Sequence, residues 1–250
     1  MKHSTILMIF MIAASLAAPR GATAIVGPSA DHGPLERHVV MVLARQAKAA
    51  SFCTGVVIAS DIVLTAAHCV RDAANTAVHF RDANGQPIMR PVAAIATHPG
   101  YRPNAIVTRE KSIDLALVLL TTALPERFAA ANLSDDASTT IGQRFRIAGY
   151  GLTREGVGAS GGTFHWGPLA ARAPLSRILL WAEGADGHAL GACTGDSGGP
   201  IFAESDATVV AITNWSTGVP PSHCGALTQG ALVAPQRSWI DGVLATWRTR

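Results

Sequence analysis

The chain has 250 residues, of which 48% are hydrophobic and 15% charged, and its formal net charge is +3. A chain of this size can bury a sizeable core in one domain or in two compact ones. It contains no long basic run, so neither nucleic acid nor an anionic membrane is indicated as a partner.

The first 24 residues predict a secretory signal peptide. A short basic start with Lys2 precedes an apolar run over residues 6–18, and Ala22 and Ala24 are small residues at the two positions that a signal peptidase reads. A membrane anchor is the alternative, but a spanning helix needs about 20 apolar residues. We therefore favour export with removal of residues 1–24, which leaves 250 − 24 = 226 residues and no membrane attachment.

Short strands with turn signals between them dominate the mature chain, which indicates an all-β barrel or sandwich. Residues 55–67 suit a hairpin, because two apolar runs flank the polar pair Ser60 and Asp61. Further strand candidates lie at residues 114–120, 145–151, 200–203 and 208–215.

One convincing helix is predicted at the C-terminal end. Pro235 suits its first turn, and large apolar residues recur at helical spacing. A helix that packs against its own barrel explains this stripe better than a partner-binding surface does; the stripe comprises Trp239, Ile240, Val243, Leu244 and Trp247.

The mature part contains four cysteines, an even number that suggests two disulfides in an exported chain. Three pairings are open on this count alone. A zinc site is the competing interpretation, but no C-x-x-C is present and the spacings are 16, 124 and 31, so we predict no metal; the cysteines are Cys53, Cys69, Cys193 and Cys224.

Three short motifs contain the candidate chemistry. "GDSGGP" places Ser197 in a glycine-rich turn, "TAAHC" places His68 at the end of an apolar strand, and "SIDLALVLL" places Asp114 at the head of another. Each residue alone has an ordinary structural explanation. Together they indicate nucleophilic catalysis, because a serine needs a base to take its proton and the base needs a group to orient it.

The motifs "FCTGVVIASDIVLTAAHC", "HPGY", "DLALVLL", "AGYG", "CTGDSGGP" and "NW" resemble the landmarks of the chymotrypsin-like (trypsin-type) serine endopeptidases, from Ile25 to the terminal helix. The resemblance implies two six-stranded antiparallel β-barrels with a C-terminal α-helix. The first barrel would cover about residues 25–132, and the second barrel with the helix about 133–250. We expect a secreted bacterial member of the family, extracellular or periplasmic.

The resemblance also implies roles for the motif residues. Ser197 would attack the scissile carbonyl, His68 would act as general base and then acid, and Asp114 would orient His68. The backbone N–H groups of Gly195 and Ser197 would form the oxyanion hole. The reaction would pass through an acyl-enzyme and would need no cofactor. The enzyme would be a monomer, and its partners would be protein or peptide substrates and a protein inhibitor.

Activation and disulfide pairing follow from the same resemblance. Asp196 would pair with the α-ammonium group of a free Ile25, and the bridges would be Cys53–Cys69 and Cys193–Cys224. Cleavage after Ala24 would expose Ile25 directly, so we hypothesise that export and activation are one event.

The sequence departs from the family pattern in its disulfides, at Asn214 and in the primary pocket. Two further disulfides common in relatives are absent, and Phe145 and Ala203 stand where one of them would lie. Asn214 replaces a serine that bonds the triad aspartate.

The primary pocket also departs, because its base is Gly191 where trypsins have an aspartate. Without a buried counter-charge, a Lys or Arg side chain would lose its hydration uncompensated, so we expect a preference for apolar side chains. Ala192, Ser216 and Gly230 would complete this pocket.

Two alternatives are weighed against a peptidase. "GDSGG" also fits the G-x-S-x-G turn of an α/β-hydrolase esterase, which would have to use Asp206 or Asp241 with His223. A catalytically silent, protease-like binding protein is the other alternative, but no member of the triad is missing.

Overall fold

The computed structural model describes residues 25–27, 29–46, 49–108 and 110–249. The predicted signal peptide, residues 1–24, lies outside the described residues. Within them, no helix has the length and apolar character needed to cross a membrane.

The first half of the chain forms a closed antiparallel barrel. Its strands are β2 (Val39–Arg45), β3 (Ala50–Ala59), β4 (Ile62–Thr65), β5 (Thr76–Arg81), β6 (Pro87–Thr97) and β7 (Ala116–Leu120). Their order around the barrel is β2-β3-β4-β7-β6-β5, and the predicted hairpin around Ser60 and Asp61 is the β3–β4 connection. A short strand β1 (Ala30–Asp31) precedes the barrel, and α1 (Ala105–Thr108) interrupts the connection to its last strand.

The second half forms another six-stranded antiparallel barrel. Its strands are β9 (Arg144–Gly149), β10 (His165–Ala171), β11 (Leu179–Gly184), β12 (Pro200–Ala203), β13 (Thr208–Thr217) and β14 (Leu227–Leu232). The barrel closes because β10 pairs with both β9 and β11. The short strand β8 (Asn132–Leu133) joins β13 in parallel, and α2 (Arg237–Arg248) follows the last strand. The two-barrel architecture with a C-terminal helix is therefore confirmed.

Each barrel has its own apolar interior, and a third cluster joins the two barrels. These interiors form because successive side chains of a strand point to opposite faces. The residues of β10, for example, alternate between buried and half-buried with a period of two. Fully burying one large apolar side chain stabilises a fold by roughly 1.5–3 kcal/mol. Phe164 and Phe202, both buried, lie in the cluster between the barrels and so contribute to holding the two barrels together.

Phe145 and Ala203 are the two residues for which the resemblance implies an absent disulfide. They are directly opposite each other on β9 and β12, and Phe145 is only 1% exposed in the core of the second barrel. A large and a small apolar residue thus form this pair between the two strands.

The terminal helix packs its apolar stripe against the cluster between the barrels, as the sequence predicts. Ile240 is fully buried, and the Trp239 ring meets His98 edge-on at 4.7 Å between ring centroids. Trp239, Val243, Leu244 and Trp247 are half-buried against the same cluster.

Val26 and strand β1 contact the second barrel, although they precede the first one in sequence. Val26 forms a bridge with Gly191, and β1 pairs with β10. The segment 25–132, predicted as the first barrel, therefore begins with residues that pack on the other one, and its barrel strands start at Val39.

Candidate active site

His68 is held at the end of β4 by a one-turn 3₁₀ helix, Ala67–Cys69, and by the disulfide between Cys69 and Cys53. Its neighbours in the turn are buried, whereas its own side chain is 37% exposed. The imidazole is therefore fixed at its base and accessible at its tip.

Asp114 contacts His68 with both carboxylate oxygens. The Nδ1 atom of His68 lies 2.6 Å from Oδ2 of Asp114, and the backbone N–H of His68 donates to Oδ1 at 3.0 Å. Because a carboxylate accepts, the proton of the neutral ring resides on Nδ1, which leaves Nε2 as a base. The structure thus places two of the predicted catalytic residues in the geometry of a base and its orienting group.

Asn214 supports this pair through the main chain. Its amide Nδ2 donates to the backbone carbonyl of Asp114 at 2.8 Å, and its Oδ1 accepts from the N–H of Ala231 at 2.6 Å. The Asn214 side chain thus links the two barrels at the aspartate.

Ser197 lies in a turn that both barrels hold. The N–H of Thr54 on β3 donates to the Ser197 carbonyl at 2.8 Å, and the N–H of Gly198 donates to Thr213 on β13 at 2.7 Å. The Sγ of Cys69 is 3.5 Å from the Ser197 carbonyl oxygen, which places the serine turn beside the residue next to His68. Gly198 has φ +81°, and a Cβ there would lie 2.1 Å from the Thr65 hydroxyl, so only glycine fits.

The peptide groups around Gly195 leave two N–H groups without partners. The Gly195 carbonyl accepts from the Thr54 hydroxyl and the Thr194 carbonyl accepts from the N–H of Leu152, both at 2.8 Å. In a trans peptide the N–H points opposite to the carbonyl of the same peptide group, so the Gly195 N–H is directed away from Leu152, to which the Thr194 carbonyl is bonded. Within the described parts of the chain, the N–H groups of Gly195 and Ser197 have no acceptor.

Asp196 is a fully buried carboxylate beneath this turn. The N–H of Gly151 donates to its Oδ1 at 2.8 Å and the N–H of Cys193 to its Oδ2 at 2.9 Å. Burial nevertheless raises the pKa of Asp196 to about 7, because it outweighs these two hydrogen bonds. A buried carboxylate of this kind needs a cationic partner to remain ionised without cost.

Ile25 and Val26 pack against the second barrel, which also contains Asp196. Ile25 is fully buried in the core of this barrel, and the Val26 carbonyl accepts from the N–H of Gly191 at 3.1 Å. In the continuous chain the nitrogen of Ile25 is an amide, and the hydrogen bonds to the Asp196 carboxylate in the described residues are the two from backbone N–H groups.

Of the predicted pocket residues, Gly191 and Ala192 lie together and Gly230 lies elsewhere. A Cβ on Gly230 would meet Ile201, the carbonyl of Ile212 and Ala211, in the interior of the second barrel. The assignment of Gly230 to the pocket wall is therefore wrong, because its strand position directs it into the barrel core.

Thr228, which the sequence analysis did not single out, takes the place next to the pocket base. Its Oγ1 accepts from the N–H of Ala192 at 2.9 Å and would be 3.1 Å from a Cβ on Gly191. Thr228 is opposite Ser216 in the β13–β14 pair, so both side chains lie on one face. Only the strand register identifies this residue, since a threonine on a strand is otherwise unremarkable.

Both predicted disulfides are present. Cys53–Cys69 holds the histidine turn, and Cys193–Cys224 joins the segment before Ser197 to the loop before β14. The ligand-type atoms of Cys53, His68 and Cys69 lie within 4.8 Å of one another, but both sulfur atoms are used in the bridge.

The esterase alternative is wrong, because the strands form antiparallel barrels and not a sheet with helices on both faces. Two β-barrels with a histidine, an aspartate and a serine between them define the class of chymotrypsin-fold serine peptidases.

Comparison with known proteins identifies the family. The family model described as Trypsin matches residues 25–240, and the chain belongs to this family. It is similar to trypsin alpha-4 of Lucilia cuprina, with 27% identity over 205 residues that cover 75% of this chain and 76% of the relative. Trypsin of Sarcophaga bullata is 26% identical over 234 residues, covering 83% and 84%.

Solved structures show the same fold. Neuropsin, a serine protease expressed in the limbic system of mouse brain, superposes with a TM-score of 0.68 at 20% identity and covers 86% of this chain and 98% of its own. Human heparin binding protein gives a TM-score of 0.70 at 21% identity, covering 88% and 97%. The protein is thus a serine endopeptidase, and proteins of this kind act on protein or peptide substrates and are typically secreted. The relatives named here come from animals, so the expectation of a bacterial source has no support.

Proposed function

We propose that the protein is an exported endopeptidase that hydrolyses peptide bonds through an acyl-enzyme on Ser197, with apolar side chains preferred before the cut. The double contact of Asp114 with His68, at 2.6 and 3.0 Å beside the serine turn, is the observation that supports this mechanism most directly.

The proposed reaction uses the Asp114–His68 pair, the serine turn and the two unpaired N–H groups described above. His68 takes the Ser197 hydroxyl proton at Nε2 while the serine oxygen bonds to the scissile carbonyl carbon. The carbonyl oxygen becomes negative and accepts from the free N–H groups of Gly195 and Ser197, where the loss of one donor typically costs roughly 3–4 kcal/mol. His68 then protonates the leaving amine, and a water activated by the same nitrogen hydrolyses the acyl-enzyme.

Thr228 and Gly191 support the proposed selectivity for apolar side chains. The residues proposed to line the pocket include no acidic side chain; they are Gly191, Ala192, Ser216 and Thr228. A substrate ammonium or guanidinium group would therefore be buried without a counter-charge. Thr228 and Ser216 also narrow the space on one face, which favours aliphatic over aromatic side chains. The trypsin relatives, in contrast, favour basic residues.

Asp196 and Ile25 support the proposed activation step. The carboxylate is completely buried without a cationic partner in the described residues, and residues 25 and 26 pack on the same barrel, so an ammonium group created at Ile25 would supply the missing counter-charge. We infer that the signal peptidase exposes this ammonium directly by cutting after Ala24. The active form would be a monomer outside the cytoplasm, open to a protein inhibitor at the same cleft.

A fluorophosphonate probe tests the proposal. It should label the secreted protein at Ser197, and both Ser197→Ala and His68→Ala should abolish labelling and peptide cleavage while circular dichroism and the melting temperature stay close to the parent. A folded protein that the probe does not label would be a silent binding protein, and cleavage by Ser197→Ala at the parental rate would refute the mechanism.

A further inference from the structure

The loop between β10 and β11, residues 172–178, has an exposed leucine at its tip. Leu175 is 52% exposed, although leucine is a residue type that folding usually buries. Residues 172–174 and Arg177 are exposed as well. The loop is therefore accessible to another molecule on both sides of Leu175.

The main chain of this loop tip has no hydrogen bond to the rest of the barrel. Before the tip, the N–H of Arg172 donates to the Trp181 carbonyl at 2.8 Å; after it, the Ile178 carbonyl accepts from the N–H of Leu232 at 2.8 Å. Between them, residues 173–177 form no backbone–backbone hydrogen bond in the described part of the chain. A segment of this kind opens locally at little cost in free energy and is a preferred site of proteolytic nicking.

Five other large apolar side chains are exposed on the described surface: Met89, Val107, Ile141, Val157 and Val219. Two of them belong to regular structure. Met89 lies within β6 and pairs with β5, and Val107 lies in α1, where its N–H donates to the Asn104 carbonyl at 2.8 Å. A peptidase would have to break these elements before it could cut beside either residue.

The remaining three are unsuitable for local reasons. The peptide N–H that follows Ile141 donates to the Ala171 carbonyl at 2.8 Å, and the Val157 carbonyl accepts from the N–H of Ser160 at 2.9 Å. Val219 is followed by a proline, whose ring crowds the preceding peptide bond. The peptide bond after Leu175 is thus the most accessible one that follows an exposed apolar side chain.

We propose that the protein is its own substrate and that one molecule cuts a second copy between Leu175 and Ser176. The inference rests on the proposed function and deepens it by naming a substrate, because an enzyme with a preference for aliphatic side chains before the cut meets one in this loop. Both ends of the loop are fixed on the second barrel, and in the described residues the loop forms no hydrogen bond to the serine turn of its own molecule. The cut is therefore made by another molecule.

The proposed step is a simple hydrolysis. The Oγ atom of Ser197 in one molecule bonds to the carbonyl carbon of Leu175 in the other, and His68 takes the hydroxyl proton. The C–N bond to Ser176 then breaks, and His68 gives the proton to the leaving amine. Water releases the acyl-enzyme and leaves a carboxylate at Leu175, so one water is consumed and no co-reactant is needed.

The product would be a two-chain protein without a covalent link. With residues 1–24 removed, the chains have 175 − 24 = 151 and 250 − 175 = 75 residues. The disulfide Cys53–Cys69 lies in the first chain and Cys193–Cys224 in the second, so neither joins the chains. Pairing of β10 with β11 and of β9 with β12 holds the chains together, as does the cluster between the barrels. Native size-exclusion chromatography of the cut protein should therefore give one active peak, and two separate peaks would contradict this assembly.

Incubation of the purified secreted protein tests the cut directly. A non-reducing denaturing gel should show two fragments, and N-terminal sequencing should give a new terminus at Ser176. The fraction cut in a given time should increase with protein concentration, since two molecules take part, and a fraction independent of concentration would overturn the role of a second copy. A new terminus at Ala173 or Ile178 would mean cutting after an arginine, and it would overturn both the assignment of Leu175 and the preference for apolar side chains.

Leu175→Glu tests whether the leucine directs the cut. It should slow cutting at least roughly tenfold, because a carboxylate would have to enter an apolar pocket without a partner. Its cleavage of a short Leu peptide should equal that of the parent. Ile141→Glu places the same charge at another exposed aliphatic position and should be cut like the parent. Equal rates of cutting for Leu175→Glu and the parent would refute the proposal.

Ser197→Ala and an added protease separate this inference from the peptidase function. The variant alone should stay intact, and a trace of parental enzyme should cut it at Leu175. Limited digestion of the variant by subtilisin, which does not depend on the activity of this protein, should nick residues 172–178 first.

The outcomes of this last test are distinct. A loop that resists subtilisin, or that stays intact beside parental enzyme that cleaves Leu peptides, would overturn the inference alone. A loop that subtilisin nicks, in a protein that neither reacts with the fluorophosphonate probe nor cleaves peptides, would refute the proposed function and self-cleavage with it.

Discussion

The side-chain amide of Asn214 donates to the backbone carbonyl of Asp114, and its carbonyl oxygen accepts from the N–H of Ala231. One side chain on β13 thus fixes the main chain of a residue from the first barrel. The position of the aspartate relative to the second barrel depends on this contact, because Asp114 stands at the head of a strand that belongs to the first.

Asn214→Ala should lower kcat roughly tenfold and leave KM nearly unchanged, because the loosened aspartate would orient His68 less well. Two buried backbone groups would lose a partner, which typically costs about 1–3 kcal/mol of stability each. Active-site-titrated kinetics and urea unfolding measure the two effects. Unaltered kcat in a destabilised variant would mean that Asn214 contributes only to stability.

Asp196 should make the uncut precursor less stable as the pH rises. Its pKa in the folded chain, about 7, lies above the ordinary value of 3.8, so the folded state favours the protonated form. This preference stabilises the folded chain fully below pH 3.8, and the stabilisation is lost as the pH rises through about 7. The pKa shift corresponds to roughly 4 kcal/mol of unfolding free energy. Urea unfolding of the oxidised precursor between pH 4 and 8 should show this loss.

Asp196→Asn provides the control for this titration. The variant cannot ionise at residue 196, so its stability should change much less between pH 4 and 8. It should still be exported and cut, yet lose most peptidase activity because Ile25 would find no carboxylate. An equal pH dependence in parent and variant would assign the effect to other groups.

Thr228 should limit the size of the residue accepted before the cut. Parental enzyme should prefer Leu or Met peptides over Arg and Lys peptides, and Thr228→Gly should raise kcat/KM for Phe and Tyr peptides several-fold. Gly191→Asp alone should shift the preference toward Arg and Lys only partly, since a Cβ there lies 3.1 Å from the Thr228 hydroxyl. Combining the two substitutions should complete the shift. Better cleavage of Arg peptides by the parent would mean that the pocket has been misplaced.

The mature protein should begin at Ile25. N-terminal sequencing of the active secreted form tests whether export and activation are one event. An active form with any other first residue would contradict this hypothesis. Replacing Ala24 with a bulky residue should then block cutting and activity together, and a matched change at Ala18 should block neither.

The sequence alone determined the fold class, the family and the disulfide pairing implied by it. Short motifs carry this information because a catalytic turn tolerates few residues: Gly198, for example, leaves no room for a side chain beside Thr65. His68 and Asp114 were likewise identifiable, since His68 follows one strand with a strong apolar pattern and Asp114 precedes another.

The tertiary structure decided what depends on strand register and on contacts between distant segments. Thr228 and Gly230 are two residues apart on β14, about 7 Å along the strand, and this distance separates the pocket base from the barrel core. No local pattern sets this register, because the contacts that fix Thr228 are made with Ala192 and with Ser216, which lie on other segments of the chain.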